Sequence, residues 1–110
     1  MTWSYSGDPG ASNLDEIRFL IQDTDTDDQL LSNEEINYLY DAYGDAYSAA
    51  VAAVGVLIAQ ASRAVEESKR VGALSLSVKS GARLAQWQAL MESLKAERFR
   101  RFPAAPHRQL

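Results

Sequence analysis

The chain of 110 residues has no cysteine and only one histidine. Without cysteine there can be no disulfide, no zinc–thiolate site and no cysteine nucleophile. The single histidine, His107, lies among the prolines of the C-terminal segment, where nothing would orient it as a general base. The sequence also contains no glycine-rich phosphate loop and no serine within a nucleophile elbow. We therefore expect a protein that is not an enzyme and that uses no cofactor.

We also recognise no segment that would direct the chain to a membrane. No apolar run approaches the roughly 18 residues of a membrane span, and the first ten residues lack the basic-then-apolar order of a signal peptide. We expect no membrane partner. The length favours one domain, which we place at residues 1–102 with an extended arm over 1–12. Prolines then stop the last helix, so residues 103–110 should form an extended tail.

The charge is small overall but unevenly distributed. Residues 1–45 carry eleven acidic side chains and one basic side chain, Arg18, whereas residues 46–110 carry ten basic and four acidic ones. Such asymmetry indicates electrostatic complementarity, within one subunit or between neighbouring subunits. An acidic loop and a basic tail that simply face solvent would give the same pattern.

Apolar periodicity predicts an all-α fold with about four helices. The expected ranges are residues 14–22, 33–43, 46–70 and about 80–102. Ser12 or Asn13 can cap the first helix. Ser32 and Glu35 have the spacing of a capping box at the start of the second. In the arm, Trp3 and Tyr5 alternate with polar residues, which suggests packing on a neighbouring surface.

The third helix is long and rich in alanine. Apolar residues along one side of it are spaced alternately four and three residues apart. Steps of this kind are typical of a coiled coil, and the small alanines let other helices approach closely. We predict contacts between subunits here and in the following segment, at Tyr47, Val51, Val54, Ile58, Leu74, Leu76 and Val78. A simple intramolecular bundle is the alternative.

The segment after Gly72 changes period. Leu74, Leu76 and Val78 alternate with serine and lysine, which predicts one short strand or extended loop over residues 74–79. A lone strand leaves its backbone groups unpaired, so it would pair with another chain or stay solvated.

A calcium loop is one interpretation of the acidic segment between the first two helices. Asp23, Asp25 and Asp27 hold positions 1, 3 and 5 of a twelve-residue loop, and Glu34 holds position 12. Position 6 is Asp28 instead of glycine, and Leu31 at position 9 offers no ligand. These departures make the loop a weak metal candidate, with an N-capping acidic surface loop as the alternative.

The last helix ends in a basic and aromatic segment, Arg98-Phe99-Arg100-Arg101-Phe102. Cations at a helix C-terminus complement the helix dipole, and aromatic side chains between them could also stack on bases. A net acidic chain makes nucleic acid a weak expectation. Docking to an acidic groove of a partner protein is the interpretation that we favour.

Three strings carry a resemblance to a known family: Tyr5-Ser-Gly-Asp-Pro9, Arg18-Phe-Leu-Ile-Gln-Asp-Thr-Asp25 and Asp28-Gln-Leu-Leu-Ser-Asn-Glu-Glu-Ile36. The alanine-rich helix and the later helix containing Arg83, Trp87 and Leu90 follow in the same order. With these features the chain resembles the head–tail adaptor (connector) proteins of tailed double-stranded DNA bacteriophages and related gene-transfer particles. The resemblance covers residues 5 to 100. Gln22 stands where members of that family often have glycine.

The resemblance implies a structural virion protein, assembled in the bacterial host cytoplasm and located in the virion neck. Such proteins form a homo-oligomeric ring, commonly of twelve copies, between the capsid portal protein and the next neck, stopper or tail-completion protein. DNA passes through the lumen without sequence recognition. The expected portal-binding residues are Arg98, Phe99, Arg100, Arg101, Phe102, His107, Arg108 and Leu110. A small calcium-binding helical protein and a helical protein-interaction module are the alternative functions.

Overall fold

A computed structural model describes residues 1–72 and 74–102 and, within them, every side chain except those of residues 74–77. The chain forms four helices: α1 (Asn13–Ile21), α2 (Asn33–Tyr43), α3 (Ala46–Arg70) and α4 (Leu74–Arg101). Over the described residues the α-helix is the only regular secondary structure, and no strand is present there. This confirms the expected all-α class.

The helix starts follow from capping side chains. Ser12, Ser32 and Asp45 each accept a hydrogen bond from a backbone N–H three residues later, which satisfies a donor that has no partner inside the helix. At α2 the Glu35 side chain also accepts from the Ser32 backbone N–H, so the predicted capping box is present. These caps explain why the predicted starts of α1, α2 and α3 lie within one residue of those observed.

The predicted strand over residues 74–79 is wrong, because α4 already begins at Leu74. An alternation with only three apolar positions fits a short strand but does not exclude one side of a helix. The helix satisfies its backbone N–H and C=O groups internally, whereas a lone strand would need a partner for them. Gly81 lies inside α4, where glycine costs about 1 kcal/mol relative to alanine, and the helix continues through it.

The core lies where α1, α2 and α4 all pack on α3. Small side chains of α3 allow this close approach, and Ala49, Ala50 and Ala53 are completely buried. Larger apolar residues complete the core: Ile17, Ile21, Leu31, Ile36, Leu39, Val54, Leu57 and Leu94. The molecule measures 47 × 37 × 19 Å. Its thinnest dimension corresponds to two helix layers, each about 10 Å thick.

The N-terminal arm packs on its own chain. The Thr2 backbone N–H and hydroxyl both donate to the Glu34 carboxylate, at 2.9 and 2.7 Å. The Thr2 carbonyl accepts from the Asn33 backbone N–H at 2.7 Å, and Ser6 donates to Asp15. Trp3 lies against the neighbouring acidic loop of its own chain, where its Nε1 donates to Asp23 at 3.1 Å.

Candidate functional site

The basic and aromatic end of α4 lies beside the start of α3. The Arg101 guanidinium carbon stacks 4.4 Å from the centroid of the Tyr47 ring. Arg101 Nε also donates to Glu97 at 3.1 Å, and Arg100 forms a second ion pair with the same carboxylate. These contacts hold Arg101 against the fold. They also leave Glu97 partly neutralised.

The other side chains of this segment point outward. Phe99 is 66% exposed and Phe102 is 52% exposed. Among the described residues Arg98 forms no ion pair. The name "α4 end" is used below for Arg98, Phe99, Arg100 and Phe102. It combines two exposed aromatic rings with cations, as protein-binding surfaces often do. The remaining predicted portal-binding residues, His107, Arg108 and Leu110, lie outside the described residues.

The predicted subunit contacts fall in different environments. Val54 is completely buried in the core and offers no surface to a second subunit in this conformation. Val51 and Ile58 are half-buried against the same core. Tyr47 is half-buried beneath Arg101, whereas Val78 is well exposed. The side chains of Leu74 and Leu76 lie outside the described set.

The candidate calcium loop has its first ligand turned inward. Asp23 is completely buried, and its two oxygens accept from Arg18, Trp3 and the backbone N–H groups of Leu30 and Leu31. Glu34, the intended last ligand, is bound by Thr2. Within residues 1–72 and 74–102, no three acidic or histidine side chains are grouped as a metal site would require. The loop is therefore built around an internal ion pair.

That ion pair is a feature that we did not predict. Arg18 is completely buried, and its NH1 lies 2.5 Å from Asp23 Oδ2. Its Nε donates to the Ser4 carbonyl at 2.8 Å, its NH2 donates to Asn33 Oδ1 at 2.7 Å, and its guanidinium carbon lies 4.7 Å from the centroid of the Trp3 ring. One guanidinium therefore joins the arm, α1, the acidic loop and α2. The signal in the sequence was its position as the one base among eleven acids in residues 1–45.

Burial and charge act in opposite directions on this arginine. Removal from water lowers the pKa of Arg18 below its ordinary value, while the charge and the hydrogen bond of Asp23 raise it. A guanidinium keeps its proton at any physiological pH. The Arg18–Asp23 pair is thus a charged cluster in which each guanidinium nitrogen donates a hydrogen bond, and it fixes the arm and the loop.

The expectation that no segment is long and apolar enough to span a membrane needs correction. By length and composition, α3 passes that test. Counting apolar runs missed it, because serine, glycine and glutamine interrupt the sequence without adding charge. In the fold α3 is the central helix, and it provides seven of the buried core side chains, of which Ala49, Ala53 and Leu57 are examples.

Comparison of the chain with family models, with curated proteins and with solved structures finds no match.

Proposed function

We propose that this chain is a head–tail adaptor that forms an oligomeric ring between the portal at the capsid vertex and the next neck component. The resemblance of residues 5 to 100 to such proteins suggests this function. Three features of the structure support it: the exposed α4 end, the backbone conformation at Gln22 and the exposed acidic loop.

The single observation that carries the proposal is the α4 end. Phe99 and Phe102 are both more than half exposed, although aromatic rings bury large apolar areas when a partner is available. They lie at the terminus of the longest helix, interleaved with Arg98 and Arg100. This arrangement suits an apolar cleft with an acidic rim, in which aromatic and arginine side chains typically supply most of the binding energy. The portal is the proposed owner of that cleft.

The conformation of Gln22 gives separate support. This residue ends α1 with φ 63° and ψ 33°, and its N–H is bonded to carbonyls of the last turn. Glycine is favoured in such a left-handed C-cap because it has no Cβ. The frequent glycine at this position in the adaptor family is what the same turn would select.

The acidic loop provides a surface for the channel. Asp25, Asp27 and Asp28 are exposed, and only Asp28 is paired with a base, Arg83, among the described residues. Like charges repel, so an acidic wall lets DNA slide without being held. We assign Asp25 and Asp27 to the lumen of the ring.

Incorporation into particles tests the proposal. Tailed particles would be purified from the bacterial culture that carries the gene, and the chain would be quantified against the capsid protein with an antibody to the purified chain. Wild-type chain should be present in particles. The double variant Phe99→Asp/Phe102→Asp should be depleted at least tenfold.

Tyr38→Asp is the matched control, because Tyr38 is an aromatic residue that is 71% exposed and lies on α2 instead of α4. Circular dichroism would verify that each variant keeps its helix content. Wild-type chain that never co-purifies with particles would contradict the adaptor function. Equal incorporation of the double variant would contradict docking through the α4 end.

A further inference from the structure

A groove opens between α1 and α4, which both pack on α3. Its apolar lining residues are Phe19 and Leu20 on α1, Tyr47 on α3, and Leu90 and Leu94 on α4, and polar side chains complete its rim. Two adjoining depressions of about 530 and 680 Å³ share Phe19, Leu20 and Tyr47 and together form this "α1–α4 groove". Phe19 is 54% exposed within it. An open apolar groove of this kind is suited to an apolar side chain from outside.

The charged side chains that line the groove are both acidic, and Arg101 stacks on Tyr47 at its edge. Glu16 and Glu97 are its charged lining residues among those described. Glu97 is paired with Arg100 and Arg101, while Glu16 has no ion pair in the described part of the chain. Residues 9–16, which supply one side of the groove, carry two acids and no base. A ligand for this groove should therefore combine apolar side chains with cations.

The opposite end of the molecule presents that combination. Where α3 turns into α4, Val71 is 76% exposed and Val78 is 66% exposed. Lys69 and Arg70 directly precede Val71 in the sequence and Lys79 directly follows Val78, and within the described residues none of the three forms an ion pair. These five residues are called the "hairpin tip". Two acids, Glu66 and Glu67, lie just before it on α3, and Glu67 lines the same surface depression as Arg70 and Val71.

The hairpin tip cannot reach the groove of its own chain. The stacking of Arg101 on Tyr47 fixes the end of α4 beside the start of α3, so the two helices run antiparallel and the tip lies at their far end. The 25 residues of α3 span about 37 Å at 1.5 Å per residue. The apolar and charge complementarity between tip and groove can only be satisfied between two molecules.

We propose that the hairpin tip of one copy docks in the α1–α4 groove of a second copy, in a head-to-tail contact. Val71 and Val78 would pack on Phe19 and Leu20, with Lys69 or Lys79 close to Glu16. Because the two patches differ, a docked pair still has one free tip and one free groove, so the contact repeats into a ring or an open chain. The contact depends only on these two surfaces. Its closure into a ring in the virion neck depends on the proposed function.

Cysteine cross-linking tests this contact directly, because the natural chain has no cysteine. Ser93→Cys places a nearly isosteric thiol on the exposed groove wall, and Val78→Cys places one at the tip. The two full-length variants would be mixed in equal amounts and oxidised. We expect at least tenfold more mixed dimer from this pair than from Val78→Cys with the control Ser62→Cys, an exposed α3 position outside both patches.

A second experiment uses charge and mixing. Phe19→Asp should disable the groove and Val78→Asp should disable the tip. In sedimentation up to about 1 mM, wild-type chain should gain mass with concentration, each variant alone should remain monomeric, and their mixture should stop at a dimer, since only one productive contact survives. A symmetric interface would give no such rescue.

Several outcomes would overturn the proposal. One is mixed cross-linking no greater than that of the Ser62→Cys control. Another is a wild-type chain that stays monomeric throughout the concentration range. A doubly substituted Ser93→Cys/Leu110→Cys chain that closes mainly within itself would assign the groove to the chain's own tail. Particle incorporation remains a separate readout: a chain that is incorporated but does not cross-link refutes only this contact, and one that cross-links but is absent from particles refutes only the adaptor function.

Discussion

Replacing Arg18 with methionine should destabilise the fold more than any other arginine replacement among the described residues. Methionine fills similar space but leaves the Asp23 carboxylate buried, with Trp3 Nε1 and the N–H groups of Leu30 and Leu31 as its remaining donors. The Ser4 carbonyl also loses its arginine donor. Breaking one side of a buried ion pair costs about 3–5 kcal/mol. That is a large part of the roughly 5–15 kcal/mol that stabilises a small domain.

Urea unfolding followed by circular dichroism at 222 nm measures this loss, and the midpoint of thermal unfolding should fall by roughly 13–22 °C. The matched control is Arg83→Met. Arg83 also pairs with an aspartate and lies 5.1 Å from the Trp87 ring centroid, but its side chain is 40% exposed. An exposed pair contributes about 1 kcal/mol or less. A loss of unfolding free energy below about 1 kcal/mol for Arg18→Met, or equal losses for the two variants, would show that the buried ion pair does not hold the fold together.

Two further predictions concern the ends of helices. Gln22→Gly should stabilise the protein by about 0.5–1 kcal/mol, because it relieves a left-handed backbone conformation. The control Gln88→Gly, inside α4, should destabilise it by about 1 kcal/mol. Urea unfolding compares the two variants, and a loss of stability for Gln22→Gly would contradict the left-handed conformation of residue 22. Hydrogen bonds from the Thr2 backbone and hydroxyl lower the pKa of Glu34 to about 2. Since this value lies below the ordinary 4.5, the contact should contribute fully above pH 4.5 and be lost as the pH falls towards 2. NMR titration of the carboxyl group, with the Thr2 amide as reporter and Glu34→Gln as control, would contradict this if the midpoint lay near 4.5.

The helices were predictable because their signals are local. The sequence range of a capping box such as Ser32–Glu35 is three residues, and the bounds of α2 and α3 matched the prediction. The error at residues 74–79 arose where the pattern was too short to distinguish two periods.

The Arg18 cluster could not be predicted from the sequence, because its residues are far apart along the chain. Its partners Ser4, Asp23 and Asn33 come from three separate segments, and only the folded chain brings them together. The same holds for the α1–α4 groove, whose walls are more than 60 residues apart in sequence. The α4 end, by contrast, was visible as one continuous segment, and its aromatic rings are exposed as a docking surface requires.

Electron cryomicroscopy of the neck of purified particles would locate the chain and its contacts in one measurement. We expect a ring of this four-helix chain below the portal, with Phe99 and Phe102 of each copy in contact with the portal and each hairpin tip in a neighbour's groove. A neck whose density accommodates no copy of this fold, or a copy whose α4 end faces solvent, would contradict it.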